Sequence, residues 1–227
     1  MNGLVRKLGV AATLAAGVAV LSGCNSRGES SPLIGLARSV VPAIGQVPGL
    51  APEPAAPAPG FGTADIAANP GGYRLVHMPL LGAPVLARRI ADNGASQTFL
   101  AQNGFSASYV NDILVATRGL GEDLLAADVR GLRAAIAAGQ GATRRTHDMI
   151  GDLDQIVSET FDCIVATEGR EMVNLGVREV SATKVTETCL GPRTGFTNTY
   201  WLDGSGAVVS SLQFVSVVAN YLRIASI

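Results

Sequence analysis

The side chains that most often bind metals or act as nucleophiles are scarce in this chain of 227 residues. It contains two histidines, His77 and His147, and three cysteines. The histidines are seventy positions apart, and neither has a second histidine or a cysteine beside it at the spacing of metal ligands. Ser205 lies between two glycines after Asp203, which is typical of a hairpin turn rather than of a nucleophile. The sequence therefore predicts no metal site, no cofactor and no catalytic residue.

Carboxylates leave one route to catalysis open, because a polysaccharide hydrolase needs only two of them at a suitable separation. Scattered surface acids explain the same residues more simply and are the favoured interpretation. The candidates are Glu122, Asp123, Asp128, Glu187 and Asp203. Their spacing in the sequence does not identify any two of them as a catalytic pair. We therefore predict a non-enzymatic protein and keep a polysaccharide-modifying hydrolase as the alternative.

The first cysteine, Cys24, has a different chemistry because it closes a secretion signal. Two basic residues precede an uncharged stretch at 8–21 that is rich in alanine and valine. As a helix this stretch would be about 21 Å long, too short to span a hydrocarbon core of roughly 30 Å. It ends in Leu21-Ser22-Gly23-Cys24, the lipobox pattern of bacterial lipoproteins. The sequence thus predicts a signal peptide at 1–23 and lipid on Cys24, which would tether the protein to a membrane surface outside the cytoplasm.

A lipid anchor leaves the rest of the chain free to fold in water. Two or three acyl chains hold a protein durably at a membrane, whereas a single chain holds it marginally. Residues 24–60 are rich in proline, alanine and glycine, which predicts an extended tether. Apolar residues at 33–41 allow either a short helix resting on the membrane or the domain, or a flexible linker. The remaining residues, 61–227, have a size that normally folds as one domain.

The charge of the chain excludes one class of partner. Without the signal peptide, the chain has 15 basic and 18 acidic residues and a net charge of −3. Domains that bind nucleic acid present a basic field, so we expect no nucleic acid partner. The hydrophobic content of 48% is raised by the signal peptide and does not indicate a membrane domain.

Residues 61–227 predict a mainly β fold, an antiparallel meander curved into a barrel-like or sandwich-like single domain. Short β-prone segments alternate with turn residues at intervals of about ten residues, the spacing of antiparallel all-β domains. The turns include Asn93-Gly94, Asn103-Gly104 and Asn111-Asp112, residue types that tolerate positive φ. The predicted strands are 73–78, 85–91, 97–101, 106–110, 113–118, 146–151, 156–167, 171–188, 196–202, 207–217 and 221–224.

One short α-helix, at about 128–138, interrupts the strands. Asp128 is a suitable N-cap and Gly139 is a suitable C-terminal stop. We expect the apolar face of this helix to pack on the core of the sheet, and a groove for a partner is the alternative. That face consists of Val129, Leu132 and Ile136, with Ala135 beside them.

The two remaining cysteines, Cys163 and Cys189, would reach an oxidising compartment, where a disulfide is the default expectation. A turn centred on Gly176 would place them directly opposite each other, whereas a turn at Gly169-Arg170 would leave them far apart. A bond between non-adjacent strands and two buried free thiols are the other possibilities. The bond would close a loop of about 25 residues and stabilise the fold by roughly 3 kcal/mol.

Two stretches of the chain resemble the YjbF/GfcB family of lipoproteins. The first follows a predicted hairpin and reads Val115-Ala116-Thr117-Arg118-Gly119-Leu120-Gly121-Glu122-Asp123-Leu124. The second comprises Glu187-Thr188-Cys189, the aromatic segment at 196–203 and Ser211-Leu212-Gln213. The resemblance implies a mainly antiparallel β domain on a periplasm-facing lipoprotein of the outer membrane, with the inner membrane as the alternative. It also implies a gene in an exopolysaccharide or group 4 capsule cluster and a role in polymer production or export without known catalysis.

Seven residues near these stretches are candidates for contact with a glycan or a protein partner: Trp201, Tyr200, Asn198, Arg193, Gln213, Arg118 and Asp123. Tyr200 and Trp201 are neighbours on a strand and so point to opposite faces, which allows one ring to be buried while the other stacks on a sugar. For the single tryptophan, burial with a satisfied N–H group is the favoured expectation, and stacking on a sugar is the alternative. Arg118 and Asp123 bracket a glycine-rich turn and could pair to hold it instead.

Three functional hypotheses follow from the sequence. The favoured one is a lipid-anchored, non-enzymatic accessory factor in exopolysaccharide or capsule production or export, which binds glycan or an export component of the outer membrane. The second is the hydrolase with a carboxylate pair. The third is a purely structural envelope lipoprotein whose partner is another protein.

Overall fold

The structure, a computed structural model, describes residues 60–79, 82–150 and 155–227. The predicted signal peptide, Cys24 and the tether before residue 60 lie outside these residues, so the predictions for them stay predictions. The α-helices of the described part are α1 (Thr63–Ala68) and α2 (Leu132–Ala138). Its strands are β1 (Tyr73–His77), β2 (Val85–Asn93), β3 (Ser96–Ala101), β4 (Ser106–Val110), β5 (Ile113–Arg118), β6 (Leu124–Asp128), β7 (Gln140–Ile150), β8 (Ile156–Asn174), β9 (Glu179–Leu190), β10 (Gly195–Leu202), β11 (Val208–Ser216) and β12 (Asn220–Ser226).

The described strands form one antiparallel sheet of twelve strands, which confirms the predicted mainly β meander. Each strand pairs with the next along the chain from β1 to β5 and from β6 to β12, and β1 also pairs with β12. The sheet is therefore rolled into a nearly closed, barrel-like form whose two edges are β5 and β6. Apolar side chains fill the inside of the roll, among them Val76, Phe99, Leu114, Leu124 and Leu222.

The two edge strands meet at a seam, where no β-ladder joins them in the described part of the chain. Side chains close the seam at the end where β5 turns into β6. The Thr117 hydroxyl accepts a hydrogen bond from the Leu124 N–H group at 3.0 Å, and Arg118 donates to the carbonyls of Leu124 and Leu125. An open groove of about 640 Å³ lies between β5, β6 and α2, and its lining is mainly apolar.

Helix α2 packs its predicted apolar face into the core, where Leu132 and Ile136 are buried. The helix begins at Leu132, however, and the N-cap predicted at Asp128 is wrong. Asp128 is the last residue of β6, and its carboxylate accepts hydrogen bonds from the backbone and side chain of Arg130. These bonds hold the turn between strand and helix, and Gly131, with a φ of 78°, precedes the first helical residue.

The sequence predicts neither strand β6 nor the first half of strand β7. The Leu-Leu-Ala-Ala segment of β6 does not alternate apolar with polar residues, so it lacks the signal of a half-buried strand. Strand β7 begins at Gln140 rather than at 146, and it pairs with β8 along its whole length. Pairing with a long neighbouring strand, which is not visible locally, extends β7 into residues of low β propensity.

The break predicted between 167 and 171 is a β-bulge rather than a turn. Strand β8 continues through it to Asn174, with a shift of register between Thr167 and Gly169. The chain reverses at 175–178 instead, around Gly176. The single strand predicted at 171–188 is therefore the end of β8, this turn and most of β9.

The end of β8 and the start of β9 extend beyond the last residue of β10. Together they form a two-stranded flap, residues 171–182. Tyr200 on β10 is buried in the core, so the next residue, Trp201, lies on the outer face of the sheet. The flap packs Val173 and Leu175 against Trp201 on this face. A second layer thus covers part of the barrel-like sheet.

We expect Gly176→Ala at the tip of the flap to destabilise the protein by about 1–3 kcal/mol. Gly176 has a φ of +93°, and a Cβ atom there would collide with the side chain of Leu75. Urea unfolding followed by the fluorescence of Trp201, which the flap covers, would measure the effect. Gly204→Ala is the control because open space surrounds that glycine. Equal stability of both variants and the wild type would contradict the packing of the flap.

Candidate functional site

A charged pair lies inside the sheet, where charges are rare. Arg145 on β7 and Glu187 on β9 form an ion pair with an Nη1–Oε2 distance of 2.8 Å, and their side chains are 1% and 0% exposed. Water does not reach these groups, so each charge depends on partners within the protein. The pair is the centre of a polar cluster that we call the interior network, formed by Arg145, His147, Glu187, Asn198, Tyr200 and Gln213.

Hydrogen bonds to Glu187 connect the network across neighbouring strands. Its Oε2 atom accepts a bond from Asn198 Nδ2 at 2.7 Å and lies 3.0 Å from the Tyr200 hydroxyl. The same hydroxyl lies 3.3 Å from Gln213 Oε1. Strands β7, β9, β10 and β11 are therefore joined by side chains as well as by their backbone ladders.

The interior network also binds the free edge of β5. Gln213 Oε1 accepts a hydrogen bond from the Leu114 N–H group at 2.8 Å, and Arg145 Nη2 donates to the Leu114 carbonyl at 3.1 Å. Gln213 Nε2 also donates to the Asp112 carbonyl at 3.0 Å. Buried backbone groups at a strand edge need partners, and here the network supplies them in place of a neighbouring strand. The network thereby holds the sheet in its rolled form.

Tyr200, Asn198 and Gln213, which the sequence predicts as binding residues, all belong to this network. Each of them is at most 1% exposed. Of the two neighbouring rings, Tyr200 is the one that points into the sheet, where it has no contact with solvent. A binding role for these three residues stays a prediction, and it would require a ligand to enter the interior.

Tyr200 and Arg145 in the interior network each keep one protonation state near neutral pH. Burial raises the pKa of Tyr200 well above its ordinary value, and the Glu187 carboxylate raises it further. Burial by itself would lower the pKa of Arg145, but the charge of Glu187, the interaction with Tyr200 and the hydrogen bonds to both together outweigh it, and the pKa is raised. Neither group exchanges a proton near neutral pH, so these two side chains are poorly suited to acid–base catalysis.

His147 lies at the edge of the interior network, and its imidazole ring is held neutral. Burial, together with the nearby charge of Arg145, lowers the pKa of His147 to about 3. Arg145 Nε donates a hydrogen bond to His147 Nε2 at 2.8 Å, so this ring nitrogen is the acceptor. The ring stacks on Phe196 with 5.3 Å between ring centroids. The imidazole therefore acts as a flat, partly polar member of the core.

We expect acid to destabilise the protein between about pH 6.5 and about pH 3 through His147. The folded state keeps this ring neutral while the unfolded state protonates it, so stability is lost as the pH falls, by at most about 1.4 kcal/mol per pH unit. His147→Gln retains an acceptor for Arg145 but cannot titrate, and its stability should fall less steeply. Urea unfolding from about pH 7 to about pH 4 would measure both slopes, and parallel slopes would contradict this account.

Trp201 lies apart from the interior network, beneath the flap. It is 8% exposed, and its Nε1 atom donates a hydrogen bond to Glu171 at 2.6 Å. The guanidinium group of Arg223 lies over the ring, 5.1 Å from its centroid. Trp201 is thus the buried tryptophan with a satisfied N–H group that the sequence favours. Its contact with a glycan stays a prediction and would require the flap to move.

Arg118 and Asp123 both hold the turn between β5 and β6. The Asp123 carboxylate accepts hydrogen bonds from the Thr117 hydroxyl and from the N–H groups of Gly119 and Leu120. Arg118 donates to backbone carbonyls on both sides of the turn. The two side chains therefore fix the turn by separate bonds and not by the mutual pairing that the sequence suggested.

Each of the five acids considered for hydrolysis has hydrogen-bond partners within the chain. Glu187 lies in the interior network, Asp123 holds the β5–β6 turn, and Asp128 binds a neighbouring arginine. Asp203 accepts bonds from two N–H groups of the β10–β11 turn, and Glu122 from one N–H group of the β11–β12 turn. Roles in holding turns and strands favour the non-enzymatic prediction over the hydrolase.

A disulfide joins Cys163 on β8 to Cys189 on β9. The two residues are direct partners in the ladder, which is the register predicted for a turn centred on Gly176. A carboxylate oxygen of Glu187 and both sulfur atoms lie within 4.8 Å of one another. Sulfur atoms in a disulfide are not thiolates, so this grouping lacks the ligands of a zinc site.

An open pocket of about 260 Å³ lies at the end of the sheet where the β5–β6, β9–β10 and β11–β12 turns meet. We call it the mouth pocket, and its walls include Glu122, Met149, Glu159, Phe161, Arg193 and Phe214. Glu159 is 5% exposed. Its carboxylate accepts hydrogen bonds from the Arg193 N–H group at 3.2 Å and from Arg193 Nη2 at 3.0 Å. Charge and hydrogen-bonding groups thus meet in one concave surface, to which Phe214 adds a small aromatic area.

Of the residues around the mouth pocket, only Arg193 was predicted to bind a ligand. Glu159 was missed, although the sequence contains a signal for it. Alternate residues of a strand share a face, so Glu159 lies on the same side of β8 as Phe161 and Cys163, both of which are buried. A glutamate in line with two inward-facing apolar residues indicates a carboxylate that points into the sheet.

The described part of the chain is a nearly closed antiparallel sheet that is stiffened by a buried ion pair. The chain belongs to the family described as group 4 capsule polysaccharide lipoprotein gfcB, YjbF, whose model matches residues 55–227. In the described ranges, no helix combines the length and the apolar character needed to cross a membrane.

A solved structure shares the fold. The crystal structure of the hypothetical lipoprotein YmcC from Escherichia coli (K12) superposes with a TM-score of 0.59 at 19% sequence identity, and the match covers 67% of this chain and 84% of that one. Comparison with curated protein sequences gives no match.

Proposed function

We propose that this chain is a lipid-anchored envelope protein that acts as a non-enzymatic accessory factor in the production or export of exopolysaccharide or capsule. The observation that carries the proposal is the family match over residues 55–227, because the description of that family names a capsule polysaccharide lipoprotein. The lipobox at Cys24 supplies the anchor, with acyl chains on the cysteine and the tether at 24–60 leading to the domain. In this proposal the domain faces the periplasm from the outer membrane.

The distribution of side chains supports a binding role over a catalytic one. Arg145 and Glu187, the buried charged pair of the domain, hold backbone and side-chain groups of the sheet together. The acids that a hydrolase would use hold turns and strands instead. We therefore propose that the domain acts by binding glycan or a component of the export machinery.

Two measurements test the proposal together. Deletion of the gene should reduce the polysaccharide at the cell surface, and wild-type expression should restore it. Purified full-length protein incubated with the same polymer should release no reducing ends. Release of reducing ends that disappears after a single carboxylate-to-amide change would favour the hydrolase and overturn the proposal. Unchanged surface polysaccharide after deletion would favour a structural lipoprotein and would overturn it as well.

A further inference from the structure

The mouth pocket combines the chemical features that a sugar ring requires. Sugars have hydroxyl groups that both donate and accept hydrogen bonds, and C–H faces that pack on apolar surfaces. Glu159 offers carboxylate oxygens, and Arg193 offers N–H groups immediately beside them. Phe214, which is 7% exposed, adds a small aromatic surface to the same pocket, whereas Phe161 is fully buried in its wall. From this geometry we propose that the mouth pocket binds one neutral pyranose residue of the polysaccharide, an inference that rests on the proposed function.

The hydrogen-bonding groups in the pocket retain capacity for a ligand. A carboxylate offers about four lone-pair sites and a guanidinium group about five N–H donors. The Glu159 carboxylate accepts two bonds from Arg193, and one of these comes from its side chain. Because Glu159 is buried while the Arg193 side chain is 60% exposed, the carboxylate is fixed in place and the guanidinium can adjust to a ligand. An acceptor and a donor side by side match two adjacent hydroxyl groups of a sugar.

The size of the pocket limits the ligand to about one ring. Its volume of about 260 Å³ is close to the lower limit of small-molecule sites, about 300 Å³. The polymer beyond that ring would have to continue over the rim. Val217 and Val218 in the β11–β12 turn are 71% and 65% exposed, so apolar surface is available there for the C–H faces of further sugars.

The charge of the pocket favours a neutral sugar over an acidic one. Glu122 and Glu159 contribute two carboxylates to its walls, whereas Arg193 contributes one guanidinium group. A hexuronic acid would bring a further negative charge close to these carboxylates, and like charges at short range repel each other. Neutral hexoses avoid this repulsion and still satisfy both kinds of hydrogen-bonding group.

Titration of the lipidated full-length protein in detergent micelles tests the assignment. The probes are oligosaccharides released from the cell's own surface polysaccharide, and calorimetry measures their binding. Val217→Trp should block the pocket with an indole ring and lower the affinity by about tenfold or more, a loss of about 1.4 kcal/mol or more. Val177→Trp is the matched control, because Val177 is 68% exposed in the distant turn of the flap, and its affinity should equal that of the wild type.

A second pair of variants tests the polar side of the pocket. Arg193→Met should weaken binding, whereas Arg170→Met, which changes an exposed arginine on β8 near the flap, should not. Neutral hexoses should compete with the oligosaccharides and hexuronic acids should not. The proposal is overturned if Val217→Trp and Arg193→Met bind like the wild type, if the wild type does not bind, or if only uronic acids compete. In each of these cases, gene deletion would still reduce the surface polysaccharide if the proposed function is correct. A failure of the pocket proposal can therefore be distinguished from a failure of the proposed function.

Discussion

Arg145→Met is expected to lower the free energy of unfolding by about 3–5 kcal/mol. The substitution leaves the Glu187 carboxylate buried without its cationic partner, and it also removes the hydrogen bond to the Leu114 carbonyl at the edge of β5. Both losses occur out of contact with water, where an unpaired charge is most costly. Urea unfolding followed by the fluorescence of Trp201 would measure the change.

A neighbouring surface pair provides the control for this prediction. Arg144 pairs with Asp162, and the two side chains are 73% and 79% exposed. Arg144→Met should therefore cost at most about 1 kcal/mol. The double variant Arg145→Met with Glu187→Leu should recover part of the stability, because no charge is then left unpaired. Equal effects of Arg144→Met and Arg145→Met would contradict the role assigned to the interior network.

Removal of the disulfide is expected to cost about 3 kcal/mol. The bond closes a loop with a sequence separation of 26 residues, so the unfolded chain gains conformational freedom when it is absent. The double variant Cys163→Ala with Cys189→Ala avoids leaving a free thiol, and urea unfolding would measure its stability. Reductant should destabilise the wild type and leave the variant unchanged. Two titratable thiols in the unreduced wild type would contradict the bond.

Much of the fold could be predicted from local sequence signals. Pairs such as Asn93-Gly94 and Asn111-Asp112 mark tight turns, and in the structure Gly94, Asn111 and Asp112 all adopt positive φ. The predicted meander follows from these turns and from strand alternation, whereas the opposed cysteines depend on a turn at Gly176 that was one of the registers left open. Where the local sequence signal is absent, pairing with a neighbouring strand determines the secondary structure. Strand β6 is a strand because β7 lies beside it, although its own residues do not alternate.

The interior network could not be predicted, because its partners are far apart in the sequence. In the segment Thr143-Arg144-Arg145-Thr146-His147, charged and polar residues are typical of an exposed strand. Only the strand register shows that Arg145 and His147 face inward while Arg144 faces solvent. Burial of Arg145 becomes favourable only when Glu187 from another strand and the open edge of β5 are brought to it.

The mouth pocket was missed for a related reason. Its walls come from three strands and three turns, and each residue taken alone looks like an ordinary core or surface residue. Arg193 was identified through its position before the aromatic strand. Its partner Glu159 is 34 residues away in the chain, and only the packed sheet brings the two side chains together.

The most direct test of the proposed function compares anchored and unanchored protein in cells that lack the gene. Surface polysaccharide would be measured after expression of the wild type and of Cys24→Ser at matched protein levels. We predict that the wild type restores the polymer and that Cys24→Ser, which offers no thiol for acylation, does not. Full restoration by Cys24→Ser, or no loss of polymer in the deletion strain, would contradict a lipid-anchored accessory factor.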